Sequence, residues 1–369
     1  MNSIEIFSGA GGLAKGLELA GADHKAFVEF NGNACQTLRK NFNSDIVYEG
    51  DVRNFNFCHY KDIDIIAGGP PCQPFSLGGK AKGLNDDRDM FPSAISSIRT
   101  LKPKAFIFEN VKGLLRQSFA DYFNYIIMQL KYPNIVLNDE DWRKNLMLLE
   151  NNADKTPTYD VTYTLVNAAD YGVPQIRERV IIVGVRKDLN AKWHFPKPTH
   201  CKDALLWDMF VTGDYWKRHG ILNYYSPNLS KSIKKNLTKK YGLFSPILKP
   251  WRTVRDAIET LGNPYGEGEH KLRTGAREYP GHTGSNIDEP SKTIKAGSHG
   301  VPGGENMIRF PDGQLRYYTV AEAKRIQTFP DDYVIEGAWT EAMRQIGNAV
   351  PVKLAQVIAN SVFDAIQQN

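Results

Sequence analysis

The chain has 369 residues and a net charge of +5, with 41% hydrophobic and 24% charged residues, which excludes a disordered or fibrous chain and predicts a globular protein of two domains. No apolar run approaches the ~18 residues of a membrane span, and Met1-Asn2-Ser3 passes straight into IEIF, so neither a signal peptide nor a membrane partner is expected. The four cysteines (Cys35, Cys58, Cys72, Cys201) form no C-x-x-C pair and lie near no His cluster, so the expectation is a reduced, cytoplasmic chain with no disulfide framework and no metal.

Up to residue 190, short apolar runs alternate with helix-like segments, the pattern of a mostly parallel sheet with helices on both faces. Strands are expected at Ile4–Phe7, Ala26–Glu29, Ile46–Tyr48, Ile63–Ala67, Ala105–Glu109, Val161–Val166 and Val180–Val185. Helices are expected at Leu13–Ala20, Gly32–Asn41, Phe91–Leu101 and Phe119–Leu130. The polar, poorly periodic residues 132–158 read as a surface insertion, helical around Arg143–Glu150. This gives a first domain of residues 1–186, an α/β fold with a doubly wound, mostly parallel seven-stranded sheet.

After Arg186, prolines and glycines punctuate the chain, which predicts a smaller, loop-rich domain over residues 187–314. Between Tyr215 and Arg255 lie ten Lys or Arg and no acid, so the rest of the chain carries −5. Tyr215, Trp216, Tyr224, Tyr225, Tyr241, Phe244 and Trp251 are interleaved with them. The stretch suits a phosphate backbone, or equally a solvated basic face over core aromatics. Periodicity returns at Thr319, an N-cap with Glu322 three residues on. A last amphipathic helix, Lys353–Ile366, closes residues 315–369, which return to the first domain.

The first strand runs into FSGAGGLAKGLELAG, Phe7 to Gly21. Gly9, Gly11 and Gly12 allow a tight turn and close backbone approach before a helix N-terminus. A second strand ends in Glu29, placed to accept from ribose hydroxyls, and a third leads to Asp51, which could face an adenine amino group. The same glycines fit an NAD fingerprint, so the loop alone leaves the nucleotide-like cofactor open.

Cys72, in IIAGGPPCQPFSLGG, follows the fourth strand at the carboxyl edge of the sheet, where open α/β sheets bind ligands. Pro70, Pro71 and Pro74 stiffen the loop around it. A structural thiol belongs inside the apolar run; one just beyond it suits a nucleophile. FIFENV brings Glu109 and Asn110 to the same edge, and YGVPQIRERVIIVG adds Gln175, Arg177 and Arg179.

The ordered set FSGAGG, GGPPCQPFS, ENV, QIRER, RYYTVAEAKRIQTFP and IGNAVP, spanning nearly the whole chain, resembles the DNA (cytosine-5)-methyltransferase family in its unpermuted, restriction-modification form. The resemblance implies the S-adenosylmethionine-dependent methyltransferase fold, with S-adenosylmethionine as cofactor and S-adenosylhomocysteine as product. It implies Cys72 as nucleophile toward cytosine C6, Glu109 at N3 and N4 of the base, Arg179 at its O2 edge and Arg177 on an adjacent phosphate. Cofactor contacts are implied for Phe7, Gly9, Gly11, Glu29, Phe30, Asp51, Val52 and Gly69, with Asn348 and Val350 returning from the C-terminus. SLGGKAKGLNDDRDMF, with Ser76 and Arg88, looks like the loop that closes over a flipped-out base. Residues 187–314 become a target-recognition domain for duplex DNA, with Thr293, Arg252, Arg255, Arg273 and Arg277 as candidate contacts. A companion restriction endonuclease and a monomeric enzyme follow from the family's habit. The rivals are a tRNA methyltransferase of the same chemistry, an idle DNA-binding regulator and an NAD oxidoreductase; the last leaves PPCQPFS and QIRER unexplained.

Overall fold

The structure is a computed structural model that describes residues 1–71, 89–137, 141–152, 156–264, 266, 268–297 and 306–367. Strands β1 (Asn2–Ile6), β2 (Asp23–Glu29), β3 (Val47–Glu49), β4 (Ile65–Gly68), β5 (Ala105–Val111), β6 (Tyr159–Asn167) and β7 (Glu178–Arg186) form one sheet in the order β3-β2-β1-β4-β5-β7-β6. All neighbours are parallel except β7, which runs antiparallel to β5 and β6. Each strand expected from the sequence is present, shifted at its ends by a few residues.

The helices of the first domain are α1 (Gly12–Leu19), α2 (Gly32–Asn41), α3 (Phe91–Leu101), α4 (Ala120–Lys131) and α5 (Trp142–Asn151). Further on come α6 (Lys202–Trp207), α7 (Asp214–His219), α8 (Pro227–Tyr241) and α9 (Val254–Ile258), and at the C-terminus α10 (Val320–Ile326), α11 (Trp339–Asn348) and α12 (Val352–Gln367). Period-two alternation along the strands sorts the core into two layers. Ile4, Ile6, Ile66, Phe106 and Phe108 pack with α3 and α4, whereas Ile65, Ala67, Ala105 and Ile107 pack with α1 and α12. A Cβ on Gly16 would collide with Ala355, so the α1–α12 contact depends on that glycine. Residues 132–158 are more than a surface insertion: α5 lays Trp142 and Leu149 into the α4 side of the core.

The second region is built from small pieces. β8 (His200–Cys201) pairs with β9 (Lys249–Pro250), while α6, α7 and α8 enclose their own cluster of Leu205, Met209, Phe210, Tyr215 and Trp216. β10 (Ser285–Asn286), β11 (Met307–Arg309) and β12 (Leu315–Tyr317) form a three-stranded sheet. Val254, Ile287, Ile294 and Ile308 share one core with α10 and α11, so packing is continuous across residue 314. The Thr319–Glu322 capping box starts α10, each side chain bonding the other's backbone N–H. Residues 339–367 are long and apolar enough for a membrane span, but Pro351 separates α11 from α12 and most of the stretch is buried in these cores.

Candidate active site

The strand order reverses between β1 and β4, where an open α/β sheet leaves a crevice beyond the carboxyl ends of its strands. A cleft of about 750 Å³ lies there. Following the sheet, its lining passes from Asp51 and Phe30 to Glu29, then Phe7 and Gly9, then Gly69 and Glu109, with Asn348 and Val350 contributed by the C-terminal segment.

At the β1 end of this lining the backbone turns through left-handed residues, Phe7 at φ 56°, Gly9 at 54° and Gly11 at 75°. The two glycines adopt this region freely; Phe7 does so at a cost in strain. Glu29 is fixed by two backbone donors, accepting from Gly9 N–H at 2.8 Å and from Asn31 N–H at 2.7 Å. Gly12 has a second reason to lack a side chain, because a Cβ there would collide with the Val350 carbonyl oxygen. The glycine loop is therefore shaped by the returning C-terminal segment as well as by any ligand. Phe30 is 78% exposed beside the cleft, not buried as a strand-end aromatic would be. Asp51 carries Arg53, whose Nη2 lies 2.5 Å from Oδ2, and this bond holds its carboxyl below the usual range. A ligand amino group must share the carboxylate with Arg53. Val52 is largely buried in the core under the same edge.

One residue that the motifs did not single out also lines the cleft. Glu5 interrupts the apolar β1, is 1% exposed, and its Oε2 has no hydrogen-bond partner among the described residues. Burial first, and the charge of Glu29 second, push its pKa well above the ordinary carboxyl range. A carboxyl inside an apolar strand was the available signal.

At the other end of the cleft, Glu109 lies near the end of β5, paired with Ile181 of β7, and Arg179, the second residue of β7, pairs with Val111 two places further on. Arg179 Nε stands 2.6 Å from Glu109 Oε1, a charge contact without an aligned N–H, while Arg179 Nη1 donates to the Glu178 carbonyl at 2.8 Å. Asn110 Nδ2 donates to Pro70 O at 3.0 Å and Met90 N–H to Pro71 O at 3.3 Å. These bonds fix the stem from which Cys72 departs. Cys72, Ser76 and Arg88 themselves lie outside the described residues.

Arg177 is corrected by the structure. It is 1% exposed, donating from Nη1 to Ile294 O at 3.1 Å and from Nη2 to Gly347 O at 2.8 Å, so its guanidinium is a buried strut rather than a free phosphate ligand. Burial, then the like charge of Arg179, lower its pKa. Gln175 belongs to the same strut: its Oε1 accepts from Ile294 N–H at 3.1 Å and its Nε2 donates to Gln327 Oε1 at 3.2 Å. Thr293 Oγ1 donates to Ile176 O at 2.8 Å, which pins Thr293 to the loop entering β7. A Cβ on Gly347 would meet the backbone of Lys295 and Ala296 at 2.5 Å. The second region is thus locked to the catalytic edge by backbone contacts as well as side chains.

The basic stretch divides. Tyr215 and Trp216 are core residues, and Arg255 is taken up by the fully buried Asp288 through bonds of 2.6 and 2.9 Å, which removes it from the candidates for a free DNA contact. Arg252 is exposed with one N–H on Asp256 O, and Arg273 stacks over Trp339 at 5.5 Å; Arg277 is exposed. Lys231, Lys234, Lys235 and Lys239 are exposed along α8, and the loop after it exposes Leu243 (96%) and Phe244 (82%). No group of three or more metal-ligating side chains occurs among the described residues.

A seven-stranded sheet of this order, with its cleft at the β1/β4 reversal, defines an S-adenosylmethionine-dependent methyltransferase fold. Spodoptera frugiperda DNMT2, solved as a mutant, superposes with a TM-score of 0.61 at 18% identity, covering 98% of this chain and 99% of that one. The Dnmt2 methyltransferase of S. pombe gives 0.59 at 16%, covering 99% and 98%. The profile of the C-5 cytosine-specific DNA methylase family matches residues 1–134 and 137–364, and the chain belongs to that family. It is similar to the Type II methyltransferase M.NgoMIV of Neisseria gonorrhoeae, 31% identical over 99% of this chain and 98% of the relative. The Type II methyltransferase M.PspPI of Psychrobacter is 33% identical over 98% of this chain and 78% of its own length.

Proposed function

We propose that the protein methylates C5 of a cytosine flipped out of a short, specific duplex DNA sequence, through a covalent adduct between Cys72 and C6, and so protects DNA from a companion restriction endonuclease. The observation that carries this reading is the Glu109–Arg179 pair, half of a base-binding pocket, on the wall of the cleft that also holds Glu29, Phe30 and the glycine loop.

The cleft suits S-adenosylmethionine: an acceptor held by two backbone amides for ribose hydroxyls, an exposed aromatic for adenine, and a buried carboxyl whose Oε2 has no hydrogen-bond partner among the described residues. When bound, the cofactor supplies an electrophilic methyl group. Cytosine C5 is a weak nucleophile, so the protein must first load the ring with electrons. The Cys72 thiolate adds to C6, the C5–C6 π pair becomes available at C5, and Glu109 donates a proton to N3 as negative charge develops there. Arg179 holds Glu109 in place and takes the O2 edge. After methyl transfer a base takes the C5 proton, the freed C–H electron pair rebuilds C5=C6 as the C6–S pair leaves with the Cys72 thiolate, and N3 returns its proton to Glu109. Arg177 acts only by holding the second region and the Gly347 turn against β7. Lysines of α8, with Arg252, supply phosphate contacts.

The test is transfer of labelled methyl from S-adenosylmethionine to unmethylated duplex DNA, with tRNA and Cys72→Ala in parallel. Label at cytosine C5 of DNA, lost in the variant, supports the mechanism and maps the recognition site. Label only in tRNA makes the protein an RNA enzyme, and no transfer to either makes it an idle regulator.

A further inference from the structure

Helix α8 and the loop after it expose two kinds of surface side by side. Ile233 packs on the cluster under α6 and α7 and Leu237 is buried. Lys231, Lys235 and Lys239 follow one another at intervals of four and share the exposed face, with Lys234 beside them. Asp203 is taken up by Lys240, and no Asp or Glu occurs between Tyr215 and Arg255, so the stripe keeps its charge. The helix ends at Gly242, whose φ of 66° turns the chain aside, and Leu243, Phe244 and Ile247 follow, each at least 82% exposed. Large apolar side chains gathered on one exposed loop mark a contact surface.

Both ends of that loop are held. Asp203 accepts from Lys240 Nζ at 2.6 Å and from the Tyr241 hydroxyl at 2.7 Å, while Lys249 N–H donates to Thr199 O at 3.0 Å. The β8–β9 pair is in turn fastened to Asp170, whose carboxylate accepts from Trp251 Nε1 and whose carbonyl accepts from Thr199 N–H, both at 2.9 Å. Asp170 lies in the turn Ala168–Tyr171 that follows β6, and Ala168 N–H donates to Arg177 O at 2.9 Å. Both β5 and β6 run antiparallel to β7, so this turn stands on the carboxyl edge with Glu109 and Arg179. A duplex presenting a cytosine to Glu109 meets the edge from which α8 and its loop are anchored.

We propose that Leu243, Phe244 and Ile247 form an apolar wedge that enters the base stack of the bound duplex away from the target cytosine, while the lysine stripe of α8 takes the phosphates beside it. This inference rests on duplex DNA being the substrate, as under Proposed function. Duplex DNA offers both complements at once: a dense row of anions and, between its base pairs, flat apolar faces that Leu, Phe and Ile side chains can part. A second copy of the chain fits less well, because two like-charged stripes would meet at the patch.

The test is fluorescence anisotropy with the duplex that methyl transfer identifies as substrate, titrated over a range of salt. Phosphate contacts set the slope of log affinity against log salt, whereas an apolar contact changes affinity and leaves the slope alone. Phe244→Ser should keep the wild-type melting midpoint and slope and weaken binding by roughly 5- to 100-fold at every salt concentration, the scale of one base–aromatic contact. Lys231→Ala with Lys239→Ala should instead lower the slope by about 2. 2-Aminopurine scanned along the duplex should brighten, in the wild-type complex, at a step away from the target cytosine and stay dark there with Phe244→Ser. Unchanged affinity of Phe244→Ser, or no brightening away from the target in wild type, overturns the wedge. So does dimerisation of wild type in sedimentation velocity that Phe244→Ser abolishes while DNA affinity persists, which would make a second copy the occupant. Phe244-dependent binding to phosphatidylglycerol vesicles, again with DNA affinity intact, overturns it in favour of a lipid surface. Failure of wild type to bind or methylate duplex DNA at all overturns the substrate assignment itself, a distinct result.

Discussion

Arg255→Ala separates two roles for the basic stretch, stability and DNA contact. The Arg255 guanidinium bonds Asp288 at 2.6 Å through Nε and 2.9 Å through Nη2, and Asp288 is 0% exposed. The Tyr215 hydroxyl also donates to that carboxylate, at 2.7 Å, and the Tyr224 hydroxyl bonds it as well. Removing the guanidinium leaves a buried carboxylate with only neutral tyrosine donors, a loss of about 3–5 kcal/mol. At about 2 °C per kcal/mol, the melting midpoint should fall by roughly 6–10 °C. Tryptophan fluorescence reports the transition, since Trp216 packs in the same cluster. Arg255→Met combined with Asp288→Asn removes both charges and should recover much of the loss. The salt dependence of DNA binding, measured on folded Arg255→Ala, should keep its wild-type slope. An unchanged midpoint, with a slope reduced by about one unit, would refute the reasoning and return Arg255 to the DNA surface.

Lys234→Ala with Lys235→Ala, both exposed on α8, should leave the melting midpoint unchanged and reduce the log–log salt slope of DNA affinity by about 2, read by fluorescence anisotropy. Gly12→Val forces a side chain against the Val350 carbonyl; it should cost about 1–3 kcal/mol and weaken S-adenosylhomocysteine binding, whereas Gly21→Ala, strained by its φ of 97° but with nothing near its Cβ, should lower stability and leave that binding intact. His24 is buried between Ser3 Oγ (2.9 Å from Nδ1) and Ala14 O (3.0 Å from Nε2), so the neutral ring donates from Nε2, and burial holds its pKa below the usual ~6.5. The unfolded chain therefore takes up this proton first. Stability should fall as pH drops below about 6.5, and urea midpoints of wild type and His24→Gln should converge over that range.

The parts of this protein legible in its sequence are those whose information is local. Strands β1 to β7 announce themselves through short apolar runs, and α2 and α3 match their expected ends because Asn31 caps the first and Pro92 starts the second. The capping box at Thr319 was equally visible, since a cap needs only four consecutive residues. Glu29, Glu109 and Arg179 sit at strand ends, so the sheet's geometry alone carries them to one edge.

What sequence misjudged depends on partners distant in the chain. Arg177 and Arg179 are two residues apart on one motif and both border the cleft, yet Arg179 meets Glu109 while the guanidinium of Arg177 is buried on the carbonyls of Ile294 and Gly347. Arg255 looked like a DNA contact because nothing near it in sequence reveals that Asp288, thirty-three residues on, would take it. Glu5 was overlooked because a charged residue in a strand acquires meaning only when its surroundings prove to leave it, among the described residues, without a hydrogen-bond partner for Oε2. The residue types, the strand order they permit and the chemistry they suggest were thus determined by the sequence itself. Which arginine is strut, structural countercharge or site residue was decided only by tertiary structure, because a charge is defined by what it faces once water has been excluded.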